Sequence, residues 1–208
     1  MKIGIFGCSF ADETLPYTID STLQSWSSYL RVYGYDVTNF GVKGSSVWYS
    51  YDLYCRHHNN FDLILFLETV AGRYYAENIK THLVPTLQHI TGNKLEVANF
   101  YKFIFNKKYD EAMIELMIRQ VKSNPKVTHI VAMDTLGKVS RLENKIYNFR
   151  PELGTEQDNR FCHLSDLNNR SLAAYIHKCI SNNTPIKLDS DWHQIPTVED
   201  RHKYFIPK

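Results

Sequence analysis

The chain has 208 residues, enough for one α/β domain with a full core. Hydrophobic residues make up 43% and charged residues 22%, ordinary values for a globular protein. A formal net charge of +2 gives no bulk sign of a nucleic-acid or membrane partner.

In chain order, residues 2–6 read as a first strand, with Ile3, Ile5 and Phe6 as its apolar run. Residues 25–33 carry Trp26, Tyr29, Leu30 and Tyr33 at helical spacing, and Gly34 is a good stop signal. Residues 36–40 form a short second strand. A glycine-rich turn follows, with Ser45 or Ser46 as N-cap of a helix through about Cys55. Residues 61–67 are almost continuously apolar, which suits a parallel strand buried on both faces.

Residues 76–123 read as helical but less regular, and 92–108 take no assignment. The clearest helix there is 109–122, with Ala112, Met113, Leu116, Met117 and Gln120 expected on the inner side. A turn at Asn124-Pro125 precedes a fourth strand over 127–133, and a short fifth is expected at 146–149. Residues 165–180 predict the last helix, capped by Ser165, with Leu172, Ala173, Ile176 and Cys179/Ile180 as its stripe. Three prolines follow Asn182, so 182–208 is expected to be an extended arm. Strands alternating with helices, without repeats or a linker, point to one domain over 1–208. Its expected form is a three-layer α/β/α fold with a doubly wound parallel sheet. Right-handed crossovers bring the loops after the first three strands to one edge.

No apolar run approaches the ~20 residues of a membrane span. Met1-Lys2 and a strand-like run differ from a signal peptide, so a cytoplasmic location is expected. Cys8, Cys55, Cys162 and Cys179 have no metal-ligand spacing and read as free thiols. Fourteen Tyr and eleven Phe fit a large-residue core better than a sugar- or nucleobase-binding surface.

Three segments meet at the shared edge and carry a resemblance. Gly7-Cys8-Ser9-Phe10 resembles the opening block of the SGNH (GDSL-type) hydrolases, which carries the nucleophile. Asn39-Phe-Gly-Val-Lys-Gly-Ser-Ser46 resembles their second block, with Gly44 at the glycine whose N–H helps bind the oxyanion. His163-Leu164 with Asn168 resembles their last block, just before the final helix. The resemblance implies a flavodoxin-like SGNH fold and cleavage of an ester, an acyl or acetyl group on a carbohydrate or other small molecule. Ser9 would be the nucleophile and His163 the general base. The Ser9 and Gly44 amides would form the oxyanion hole, and no metal or cofactor is implied. The motif set is also similar to small SGNH-like proteins of bacteriophage genomes.

The chain departs from that pattern at three places. Cys8 stands where the family has Asp. Arg160 stands where the family has the acid three residues before the histidine. Asp158 is then the candidate to orient His163; otherwise a Ser–His dyad operates. The segment after the third strand, Leu67-Glu-Thr-Val-Ala-Gly-Arg73, has no oxyanion-binding Asn. Thr69 offers a hydroxyl donor in its place, an ionised Glu68 would repel an oxyanion, and Arg73 is a candidate substrate-binding cation. A non-catalytic SGNH-fold binding or structural protein is the alternative. A flavodoxin-like nucleotide-binding domain ranks lower, because the chain lacks a Gly-x-Gly-x-x-Gly or P-loop run. Partners are expected to be small-molecule or carbohydrate esters, with no nucleic acid and no membrane; the oligomeric state stays open.

Overall fold

The computed structural model describes residues 1–13, 25–42, 44–69, 72–76, 81–83, 99–131 and 166–187. Asp158, His163, Ser165, the expected fifth strand and the tail beyond Lys187 lie outside the described residues. In chain order the elements are β1 (Lys2–Phe6), α1 (Trp26–Val32), β2 (Asp36–Asn39), α2 (Val47–His57), β3 (Leu63–Glu68), β4 (Tyr74–Ala76), β5 (Thr81–Leu83), a π-helical turn (Phe100–Ile104), α3 (Lys107–Lys122), β6 (Val127–Val131) and α4 (Asp166–Ser181).

Four of the strands form an all-parallel sheet in the order β2-β1-β3-β6. Side-chain alternation decides what covers each face. Ile3, Ile5, Leu65, Leu67 and Ile130 pack with Trp26 and Leu30 of α1 and with Leu172, Ala173 and Ile176 of α4. On the other face, Phe6, Ile64 and Phe66 pack with Val47 and Tyr54 of α2 and with Ile114, Met117, Ile118 and Val121 of α3. The result is an α/β fold with helices on both faces of the sheet. Each fully buried Ile, Leu or Phe side chain contributes roughly 1.5–3 kcal/mol. The helix-surface ion pairs Arg56–Asp52 and Arg119–Glu115 join side chains at least half exposed, and such pairs contribute at most about 1 kcal/mol. Apolar burial therefore holds the layers together.

The helix boundaries follow local chemistry. Ser25 caps α1, its Oγ accepting from the Ser28 N–H at 3.2 Å. Gly34 ends that helix with φ +85°, and its N–H donates to the Arg31 carbonyl. Ser46 is the cap of α2, while Ser45 takes a different task described below. Asn106 caps α3 through the Tyr109 N–H. Along α4, Leu172, Ala173, Ile176 and Cys179 are buried as expected. The arm begins as an attached segment: Ile186 packs on the core, and the Tyr175 hydroxyl donates to the Lys187 carbonyl at 2.7 Å.

Two expectations are corrected. Within the stretch read as helical, Thr81–Leu83 is a strand paired antiparallel with Tyr74–Ala76. Two three-residue strands are too short for alternation to reveal them, and only their mutual pairing defines them. The inner face of α3 is formed by Asp110, Ile114, Met117, Ile118 and Val121; of the expected set only Met117 is buried, and Leu116 is 56% exposed. The helix carries two apolar stripes, and the stripe that faces the sheet begins at a buried carboxylate that apolar periodicity does not count.

Candidate functional site

The strand order places β1 between β2 and β3, so successive crossovers leave it in opposite directions. Open parallel sheets bind ligands at that reversal, outside the carboxyl ends of the strands. Here the reversal lies between the ends of β1 and β3, where Phe6 is in register with Phe66. Ser9 and Thr69 each stand three residues beyond that pair. Both are buried, Ser9 at 7% exposure and Thr69 at 0%.

The turn that carries Ser9 is tightly closed. The Cys8 carbonyl accepts from the Ala11 N–H at 2.8 Å and the Asp12 N–H at 3.2 Å. Cys8 is fully buried in the α1–α4 core, as a small hydrophobe would be. Trp26 Nε1–H donates to the Phe10 carbonyl at 2.8 Å, which fixes the turn from the helix side.

The loop after β2 is stitched to this turn. The Gly7 carbonyl accepts from the Val42 N–H at 3.2 Å and from the Ser45 hydroxyl at 2.9 Å. Asn39 bridges the two loops: its Nδ2–H donates to the Ala11 carbonyl, and its Oδ1 accepts from the Gly41 N–H at 2.7 Å. Gly44, adjacent to Ser45, has φ +73°, a left-handed conformation in which a side chain is strained. The segments carrying Ser9 and Gly44 are thus joined by backbone and side-chain hydrogen bonds.

The loop after β3 is held from α3. Asp110, 1% exposed, accepts from the Gly72 N–H at 2.7 Å, the Tyr74 hydroxyl at 2.7 Å and the Trp48 Nε1–H at 3.3 Å. The Tyr101 hydroxyl donates to the Gly72 carbonyl, so the Gly72 residue is gripped on both sides. Burial, followed by the hydrogen bond to Asp110 and its charge, pushes the Tyr74 phenol well above its ordinary value. Burial and then the Asp110 charge do the same for Tyr101, against the opposing charge of Arg73. Arg73 is therefore near Tyr101 at the same edge.

Glu68 ends β3 on the face shared by Ile64 and Phe66. Its Oε2 lies 2.6 Å from Nε2 of His129 on β6, with both side chains about nine-tenths buried. Asp110, His129 and the bridging role of Asn39 escaped sequence reasoning. The available signal was a polar residue within or at the end of an otherwise apolar element: Asn39 at the end of β2, His129 within β6 and Asp110 in the first turn of α3. Among the described residues, no group of three or more His, Cys, Asp or Glu is placed to hold a metal ion. Cys8, Cys55 and Cys179 are free thiols. Of the expected site residues, Ser9, Gly44, Thr69 and Arg73 lie in the loops of this edge. His163 and Asp158 fall outside the described residues.

The fold and the edge define an α/β protein with a buried serine beside the sheet's topological reversal. No protein-family model matches the chain, and no curated protein matches it. Among the described residues, no helix is long and apolar enough to cross a membrane.

Proposed function

We propose that the chain is a serine hydrolase of the SGNH type, in a flavodoxin-like fold, acting in the cytoplasm. Its substrate is an ester, an acyl or acetyl group on a carbohydrate or other small molecule. The observation that carries the proposal is that Ser9 and Thr69 lie three residues past one register pair, with the Gly44 loop tied to the Ser9 turn through Gly7.

Ser9 Oγ attacks the ester carbonyl carbon while His163 takes its proton. The oxyanion accepts hydrogen bonds from the Ser9 and Gly44 amides and the Thr69 hydroxyl. The C–O bond then breaks, and His163 returns the proton to the leaving alcohol. Water, deprotonated by the same histidine, releases the acid and restores Ser9. Asp158 orients the imidazole, and Arg73 draws anionic groups of the substrate to the edge. The engagement of Glu68 Oε2 with His129 supports a hole open to an oxyanion.

Turnover of a short-chain aryl ester tests this. Ser9→Ala and His163→Ala each abolish it, and the double variant is no worse than either, because the pair acts as one unit. Equal activity in wild type and Ser9→Ala favours the non-catalytic binding protein.

A further inference from the structure

The segment leading into α3 has a construction the hydrolase proposal does not use. From 99 to 109 it reads Asn-Phe-Tyr-Lys-Phe-Ile-Phe-Asn-Lys-Lys-Tyr, with three lysines and no acid. Four rings pack together to hold it. Tyr74 meets Phe100 at 4.9 Å and Phe105 at 5.8 Å, and Tyr101 meets them at 5.1 and 5.4 Å. The Tyr101–Gly72 hydrogen bond ties the same turn to the loop after β3. With those rings turned inward, the remaining apolar residues of the π-helical turn face out. Phe103 and Ile104 are each 71% exposed, and Tyr109 is 64% exposed. Lys102 Nζ lies 4.9 Å from the Phe103 ring centroid. Lys107 and Lys108 are exposed, with only a loose 3.6 Å pairing of Lys107 to Glu111.

We propose that this anchored tip docks on an anionic lipid surface. Phe103 and Ile104 enter the headgroup region, and Lys102, Lys107 and Lys108 face the lipid phosphates. Large apolar side chains ringed by lysines are what such an interface selects. The lysines decide the occupant. A second copy seated symmetrically on the tip would bring like charges together. A single strand of nucleic acid could stack on Phe103 and Tyr109 but would leave Ile104 in water, whereas a headgroup region takes up all three. The net charge of +2 conceals this local concentration. Asp110 opens the same helix and holds Gly72, so the tip adjoins the carboxyl edge of the sheet. Docking brings that edge to the lipid. In a consequence that rests on the hydrolase proposal, the favoured esters are those presented at the interface.

The test is co-sedimentation of the full chain with vesicles of equimolar phosphatidylcholine and phosphatidylglycerol, and with phosphatidylcholine alone. Binding to the anionic vesicles is expected, on the order of 100-fold weaker to the neutral ones. Phe103→Ser/Ile104→Ser weakens it at least about tenfold. Lys102→Gln/Lys107→Gln/Lys108→Gln reduces it to the neutral-vesicle level. These positions are exposed, and circular dichroism verifies that the variants fold. Ser9→Ala binds like wild type, so failure of the hydrolase proposal leaves the docking result standing. The substrate consequence predicts that the Phe103/Ile104 variant loses kcat/KM on a vesicle-dispersed ester and keeps it on a soluble one; equal effects on both overturn that part. Wild-type protein that stays in the supernatant, or variants that bind equally, overturn the docking proposal. So does a tip that instead drives dimerisation or captures a single-stranded oligonucleotide, lost in the same variants.

Discussion

Gly41 is where the two stitched loops come closest. A Cβ added there would lie 2.5 Å from Ala11 Cβ, 2.7 Å from the Ala11 carbonyl carbon and 2.8 Å from the Asp12 nitrogen. Two of these three atoms are backbone, so no rotamer change relieves the overlap. The loops must part by roughly 1 Å to regain contact distances of about 3.5 Å. Overpacking of this kind costs about 1–3 kcal/mol. The upper part of that range is expected, because parting the loops also strains the bonds from Val42 to Gly7 and from Asn39 to Ala11. A shift of about 1 Å near reacting groups reduces rate on the order of 100-fold. Gly41→Ala is therefore expected to lose about 2–3 kcal/mol in urea titration and about 100-fold in kcat/KM on an aryl ester. Gly34→Ala is the control. Its site has φ +85° and no neighbour within 4 Å of an added Cβ, and it lies between α1 and β2 at the opposite edge. It costs about 1–2 kcal/mol through the left-handed backbone alone and leaves kcat/KM unchanged. Wild-type stability in Gly41→Ala, or equal losses of activity in both variants, refutes the argument.

Other perturbations probe the edge separately. Asp110→Ala strands the buried Gly72 N–H and removes the acceptor of Tyr74 and Trp48; a loss of about 2–4 kcal/mol in urea titration is expected, with Asp110→Asn recovering part of it. The Tyr51 phenol is pushed up to about 12 by burial and by Cys55, and Tyr74 and Tyr101 are raised as well. A phenol pKa raised on folding stabilises fully below the unfolded value of about 10 and loses that contribution as pH climbs through the raised values. Stability should therefore fall above about pH 10, with late-titrating tyrosines in tyrosinate absorbance and Tyr74 moving down in Asp110→Asn; all tyrosines titrating together near pH 10 would contradict this. Thr69→Val keeps the shape and removes the hydroxyl, so kcat on an aryl ester should drop on the order of 100-fold with the fold retained by circular dichroism.

The central strands were legible because burial on both faces writes itself as a nearly unbroken apolar run, as in Leu63–Glu68. Helix ends were legible where one residue does the work alone, as at Gly34. Ser45 was not separable from Ser46, since its partner, the Gly7 carbonyl, is 38 residues away in sequence. The same limit hid Asp110, whose three donors come from α2, the loop after β3 and β4, and with it the true inner face of α3. The Glu68–His129 pair depends on the β3–β6 register, which no local pattern encodes. Of the candidate site, the placement at one edge of the loops that carry Ser9, Gly44 and Thr69 was legible through the crossover rule; the bonds that join the first two loops, and those that hold the third from Asp110 and Tyr101, were not.

Covalent labelling tests the nucleophile most directly. The wild-type chain is treated with a fluorophosphonate probe and its intact mass is compared with that of Ser9→Ala after the same treatment. One adduct on the wild type, located at Ser9 by peptide mapping and absent from Ser9→Ala, is the expected result. A folded wild type that takes no adduct, or a Ser9→Ala variant labelled to the same extent, would contradict the assignment of Ser9 as nucleophile.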